Sequence, residues 1–219
     1  MEKILMLIDD YWHPADVIEM GLRSWGDVPF EFDIVKTAKD ILSPKRIAKY
    51  RAIINLKGNC INAANTQPWF EEGVTEVMPK QFIEYIENGG GFIAVHAGLA
   101  FGEDNNKDYL SMVGSHFITH PPRCITNYRI TKPEHPIAAG LSDFGGRDEH
   151  YAIKLICDDA DVFMESVSET GGTQVAGYTR NIGNGRLCAV TPGHTLDIWE
   201  DEGFKKLMTN VIKWCIKEI

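Results

Sequence analysis

The chain has 219 residues, 44% of them apolar and 24% charged, with 22 basic against 31 acidic side chains for a formal charge of −9. That composition suits one soluble α/β domain spanning residues 1–219, leaves little room for two average domains, and gives no sign of disorder. The acidic balance, with no Arg/Lys-rich run, opposes a nucleic-acid partner; runs such as "ILMLI" and "FIAV" fall far short of a membrane span; no secretory signal is visible at "MEKILMLIDD", so a cytoplasmic location is expected.

The first half alternates strands and helices. "KILMLI" (3–8) reads as a strand and is followed by a helix opening at Pro14. "FEFDIV" (30–35) precedes "SPKRIAKY", where Ser43 can cap a helix and Pro44 can take its first position. "AIINL" (52–56) leads through a loop to "MPKQFIEYIENGG", in which Phe82, Ile83 and Ile86 share one helical face and Gly89 can close the helix. "GFIAVH" is the fourth strand. Repeated strand–helix units with continuously apolar strands imply a doubly wound, mainly parallel, flavodoxin-like sheet covered on both faces.

The second half changes character. "NYRITK", "DVFMESVSE", "TQVAGYTR" and "RLCAVTPGH" are strand-like, and the turn signals "ETGGT" and "NIGNG" predict antiparallel hairpins returning to the main sheet through "RLCAVT". A terminal helix from about Glu202 to Ile216 carries Phe204, Leu207, Met208, Val211, Ile212 and Cys215 as a core stripe. The five cysteines, Cys60, Cys124, Cys157, Cys188 and Cys215, are odd in number and lack a CxxC pair. Reduced thiols are expected, rather than a disulfide framework or a thiolate zinc site.

Open α/β sheets bind ligands outside the carboxyl ends of their strands. Four such ends carry polar loops here: "DDYWHPA" with Asp9, Asp10, Tyr11, Trp12 and His13; "NLKGN"; His96; and "PGHT" with His194. Two other segments add candidates. "GSHFITHPP" holds His116 and His120 at i and i+4, one face of a helix and suited to a metal, although Pro121 and Pro122 oppose helical continuation. "GGRDEHY" supplies Arg147, Asp148, Glu149, His150 and Tyr151, where an acid beside a histidine cluster can orient an imidazole or act as a base. His135 reads as structural. Trp12, Trp69, Phe101 and Tyr151 lie near these loops; ordinary packing is the default for each, and Trp12, beside His13, is the best candidate to stack on a ligand. No GxSxG, GxGxxG or GxxxxGK[ST] is present, which removes serine-hydrolase, dinucleotide and P-loop readings, so no nucleotide cofactor is expected.

The set "GGGFIAVHAGLA", "MVGSHFITHP", "HPIAAGLSDF", "DEHYAI", "GNGRLCAVTPGHT" and "NVIKWC", in that order, resembles the ThuA-like (trehalose utilisation) family over nearly the whole chain. The resemblance implies the fold of class I glutamine amidotransferases. It also implies a working link to sugar oxidoreductases that oxidise the C3 hydroxyl of trehalose and other glycosides. His96 then stands where an amidotransferase holds its cysteine, with His194, Glu149 and His13 around one pocket. Without that cysteine, thiolate-based glutamine hydrolysis is disfavoured.

These readings give His96, Glu149, His194 and His13 as catalytic candidates, and Trp12, His120, His150 and Tyr151 as candidates for binding a sugar ligand. Imidazoles can move protons near neutral pH, or His13, His96 and His194 can instead hold a divalent metal such as zinc or manganese. A base acting on a 3-keto-glycoside would drive elimination or isomerisation; hydrolysis is a further outcome. Two other classes stay open, a non-catalytic sugar-binding or regulatory subunit of a dehydrogenase and a metal-dependent hydrolase of another small molecule. A homodimer is the default assembly.

Overall fold

In the computed structural model, which describes residues 1–219, the early apolar runs form the parallel half of a sheet. Glu2–Leu7 (β1) lies between Phe30–Val35 (β2) and Ala52–Asn55 (β3). Ala15–Ser24 (α1) connects β1 to β2, and two single-turn helices, Ala38–Ile41 (α2) and Pro44–Ile47 (α3), connect β2 to β3. The start of α3 is as expected, with Ser43 Oγ accepting the Arg46 amide at 3.2 Å and Pro44 at the first position, where no N–H is needed. Pro79–Glu87 (α4) follows, and Gly89 at φ +104° turns the chain into Gly91–Val95 (β4), parallel to β3.

Beyond β4 come Lys107–Val113 (α5), Ser115–Thr119 (β5), Cys124–Ile130 (β6), Phe144–Asp148 (β7), Ala152–Leu155 (β8), Asp161–Ser168 (β9), Gly172–Ile182 (β10) and Gly185–Val190 (β11). Leu196–Trp199 (α6) and Glu202–Cys215 (α7) close the chain. The nine-stranded sheet has the order β2-β1-β3-β4-β11-β10-β9-β6-β7. It is parallel from β2 to β11 and antiparallel beyond, the arrangement expected of a doubly wound sheet with an antiparallel extension.

Successive strand residues point to opposite faces. Ile4, Met6 and Ile8 therefore join one core with α1 and α7, while Leu5 and Leu7 join the other with α4 and α5. The cores hold 30 and 25 buried residues, so neither face is left to water. Phe204, Leu207, Met208, Val211, Ile212 and Cys215 of α7 are fully buried, and each large apolar side chain withdrawn from water contributes about 1.5–3 kcal/mol. Trp69 and Phe101 also lie in the core, at 0% and 1% exposure, which makes them packing residues rather than sugar platforms.

Two features depart from the sequence reading. The segment holding His116 and His120 is not a helical turn: His116 lies on β5, paired with β8 in a separate two-stranded sheet, and His120 just follows it. An even spacing would keep both on one face of a regular strand, but the register shifts between Phe117 and Thr119 and the strand ends at Thr119, leaving His116 buried and His120 exposed. Strand β7 was also not expected, because Gly145 and Gly146 weaken its local signal; pairing with β6 holds it.

One close approach fixes where β4 ends. A Cβ on Gly98 would lie 2.3 Å from the Asn55 carbonyl oxygen at the end of β3. Gly98→Ala is therefore expected to push the turn after β4 outward and cost about 1–3 kcal/mol of stability. Chemical denaturation measures this, and an unshifted midpoint would show that the contact is slack.

Candidate functional site

Strand β4 ends in a sharp turn. His96 has φ +43° and opens a short 3-10 turn, His96–Leu99, at the expected elbow. A non-glycine residue in this region costs on the order of 1–3 kcal/mol and persists only where its surroundings hold it. Here the Nδ1–H of His96 donates to the Thr191 carbonyl at 2.8 Å, and the ring stacks on Tyr151 with centroids 4.1 Å apart. That bond fixes the tautomer and leaves the Nε2 lone pair facing the cavity.

His13 is held in a similar way. Its Nδ1–H donates to Asp10 Oδ1 at 2.8 Å, and its Nε2 accepts from the Tyr151 hydroxyl at 3.2 Å. Asp10 is 1% exposed and also accepts from the amides of Trp12, His13 and Gly58. Burial pulls its carboxyl upward, but the His13 hydrogen bond and charge, with the Gly58 and Trp12 amides, outweigh it and leave the pKa lowered. Burial pushes the His13 imidazole below its ordinary 6.5, against the pull of Asp10.

The loop after β11 brings His194. Its amide and that of Gly193 donate to the two oxygens of Asp148 at 2.9 and 3.0 Å, and Trp199 Nε1 donates to the Gly193 carbonyl at 2.8 Å. Asp148 is fully buried and also accepts from Tyr128 Oη at 2.8 Å. The next residue, Glu149, turns Oε2 toward His194 Nδ1 at 3.1 Å, His96 Nε2 at 3.5 Å and His120 Nε2 at 3.7 Å; its Oε1 lies 3.6 Å from Arg123 Nε. Burial raises the Glu149 pKa, but bonds from His194 and His96 and their charges prevail, holding it far below the usual carboxylate range.

His13, His96, His194 and Glu149 thus each offer one ligand atom, and these atoms all lie within 4.8 Å of one another. Their chemistry fits a divalent cation. With Nδ1–H of His13 and His96 already committed to Asp10 and Thr191, both Nε2 atoms are lone pairs; Glu149 Oε2 is an acceptor too. Only the Tyr151 hydroxyl and a single proton on His194 Nδ1 can serve this surplus of acceptors. Three imidazoles and a carboxylate, two of the rings backed by an oxygen acceptor, form a donor set suited to zinc or manganese.

Two cavities open beside the cluster. One, about 220 Å³, runs along α1 past Val17, Ile18 and Leu56; the other, about 340 Å³, is walled by Phe117, His120, Glu149 and Tyr151. Trp12, 73% exposed, borders both.

The structure thus gathers His13, His96, Glu149 and His194 at one point and places Trp12, His120 and Tyr151 on the walls. His150 is not brought there. Its ring is buried, bonded to Ser168 Oγ at 2.5 Å and Ser166 Oγ at 2.8 Å, because adjacent residues between β7 and β8 point to opposite sides. His135 is buried and bonded to Thr179 Oγ1 and to the Ile137 amide, as a structural residue should be. Arg123, absent from the sequence reading, borders both cavities; two prolines before it were the only local signal of a stiff, aimed loop.

A family model described as "ThuA: Trehalose utilisation" matches residues 12–215. No curated protein matches the sequence. Among solved structures, a ThuA-like protein from Bacteroides uniformis ATCC 8492 is 18% identical with a TM-score of 0.76, covering 98% of this chain and 91% of that one. A ThuA-like protein from Parabacteroides merdae ATCC 43184 is 16% identical with a TM-score of 0.74, over 99% and 90%. A cytoplasmic protein from Salmonella typhimurium is 13% identical with a TM-score of 0.66, over 98% and 99%. No helix of the chain is long and apolar enough to cross a membrane.

Two outcomes follow. In a calorimetric zinc titration, affinity should fall about tenfold or more between about pH 7.5 and 5.5, since protons compete for the imidazoles, and Asp10→Asn should cost roughly 10–100-fold at the higher pH. Equal affinity at both values would remove the imidazoles from the donor set. Metal-free protein should lose thermal stability on acidification. Below 6.5 folding must strip a proton from His13, and below 4.5 it must do so from Glu149, so each cost appears as pH falls past those ordinary values toward the lowered folded ones. A melting temperature flat from about pH 7 to 4 would contradict this.

Proposed function

The chain belongs to the ThuA family, the trehalose-utilisation family, and from that premise we propose that it is an enzyme acting on a glycoside or its 3-keto derivative by acid–base chemistry. The observation that carries the reading is a further imidazole, that of His120, on a cavity wall shared with His13, Glu149 and His194, its Nε2 3.7 Å from Glu149 Oε2. His120 is outside the four-residue cluster, and its Nδ1–H donates to the Pro121 carbonyl at 2.8 Å. The basic lone pair is therefore on Nε2, and His120 borders the cavity shared with Glu149 and Tyr151.

A ketone at C3 acidifies the proton at C2. In the proposed reaction His120 Nε2 takes that proton, the C2–H electrons form the C1–C2 double bond of the enone, and the anomeric substituent leaves with its bonding pair and takes a proton from water, whose hydroxide the His120 imidazolium then neutralises. Charge develops on the C3 oxygen along the way, and the Arg123 guanidinium at the cavity wall is placed to stabilise it. His13 Nε2, His96 Nε2, His194 Nδ1 and Glu149 Oε2 would hold a divalent cation, which when bound supplies a Lewis acid for a sugar oxygen. Trp12, exposed beside the cavity, offers an apolar ring face to the carbon skeleton, while the buried Tyr151 ring backs His96 and His120.

The 3-keto group must be made before it can be used, so the proposal requires a sugar oxidoreductase upstream. Five unpaired cysteines fit the reducing cytoplasm in which such a pair would work.

Incubation with 3-keto-trehalose and a 3-keto-glucoside should consume substrate. His96→Ala should abolish turnover together with metal binding, while His120→Ala should lower kcat about 10²–10⁴-fold and leave metal affinity within a few-fold. Turnover that survives His96→Ala removes that residue from the centre of the chemistry. Ligand binding without any turnover would assign the chain instead to the non-catalytic sugar-binding class.

A further inference from the structure

Tyr151 touches both the metal-ligand cluster and the imidazole outside it. Its ring, 2% exposed, stacks on His96 with centroids 4.1 Å apart and on His120 at 5.7 Å, and meets Phe117 edge-on at 4.8 Å. Its hydroxyl has one hydrogen-bond partner, His13 Nε2, 3.2 Å away. Held on three sides, the ring has no room to swing. What stays free is the hydroxyl hydrogen, which turns about the Cζ–Oη bond.

The sense of the bond to His13 is fixed by the far side of the imidazole. His13 Nδ1–H is committed to Asp10 Oδ1, so Nε2 carries no hydrogen and the Tyr151 hydroxyl donates to it. An unprotonated imidazole nitrogen has a single in-plane lone pair, and that pair is also what His13 contributes to the four-residue donor set. Hydroxyl and cation therefore exclude each other at His13. A cation that takes Nε2 leaves a buried O–H without an acceptor, which is unfavourable until another oxygen arrives. Tyr151 walls the cavity shared with His120, Arg123 and Glu149, so the acceptor within reach is an oxygen of the molecule that fills it. A phenolate is not needed to complete the metal set, because three imidazoles and a carboxylate already supply four ligands.

We propose that the Tyr151 hydroxyl is a gate between cation and ligand: it occupies His13 in the empty site and, once a divalent cation takes that lone pair, turns to donate to an oxygen of the glycoside. The glycoside is then recognised in full only after the cation has bound. The choice of a glycoside as acceptor rests on the function proposed above, whereas the exclusion at His13 does not.

Tyr151→Phe keeps the stacked ring and removes the hydroxyl. Zinc titrated calorimetrically into the metal-free variant should bind about two- to tenfold tighter than to the unaltered chain, since no hydrogen bond is given up. The variant's melting temperature should fall without metal and much less with zinc. Tyr128→Phe, whose hydroxyl donates to Asp148 rather than to a ligand atom, should instead lower both alike. Trehalose and methyl glucoside serve as unreactive probes of the second step. Tyr151→Phe should weaken their binding to the zinc-loaded chain about threefold or more, and leave binding to the metal-free chain within about twofold. Weaker zinc binding by the variant would make Tyr151 a metal ligand and overturn the gate. Equal losses of stability with and without zinc, or sugar affinities for the zinc-loaded chain that the variant does not change, would also overturn it. The expected zinc results with no binding of either sugar would overturn the glycoside reading instead.

Discussion

The parallel pairing of β4 with β11 sets Val95 beside Val190, and the approach of His96 to His194 at the centre of the site follows from it. The two strands end in register, so the turn carrying His96 and the loop carrying His194 leave the sheet side by side. The bond from His96 Nδ1 to the Thr191 carbonyl joins the first to the second directly. It also holds a left-handed residue where glycine would be cheaper. Remove this pairing and His96 has neither its tautomer nor its neighbour 3.1 Å away. The other ligands are supported from elsewhere. Asp10 ties the loop after β1 to Gly58 after β3, and Asp148 ties the end of β7 to the loop after β11.

Much of the fold was legible because strand-length apolar runs are unambiguous when glycine or proline bounds them. "FEFDIV" became a strand over the expected residues, and the Ser43–Pro44 pair opened a helix through the expected cap. The weaker segments were those whose structure comes from distant partners. "FGGRD" forms a strand only because β6 lies alongside, and His116 and His120, four apart in sequence, are separated by a register shift and the end of β5 rather than gathered by a helix.

The site was legible for a different reason. Strand ends converge in any doubly wound sheet, so polar residues just past them meet whatever the loop details. This carried His13, His96 and His194. It could not carry Arg123, which reaches the cavities from the antiparallel half, where no such rule applies. Nor could it choose between Glu149 and His150. Which neighbour faces inward is decided by a single residue of phase, and two serines on β9 claim the histidine.

The segment His120–Pro121–Pro122–Arg123 has one more consequence. Two successive pyrrolidine rings fix their own φ angles and restrict the residues before them, so the chain bearing the His120 imidazole and the guanidinium has few conformations to lose. Ordering an ordinary loop on a ligand would subtract from affinity. Here that entropy is surrendered when the protein folds, before any ligand arrives. Recognition by this wall is then closer to lock-and-key than to induced closure, and selectivity between ligands is set by the shape of side chains rather than by the motion of the backbone.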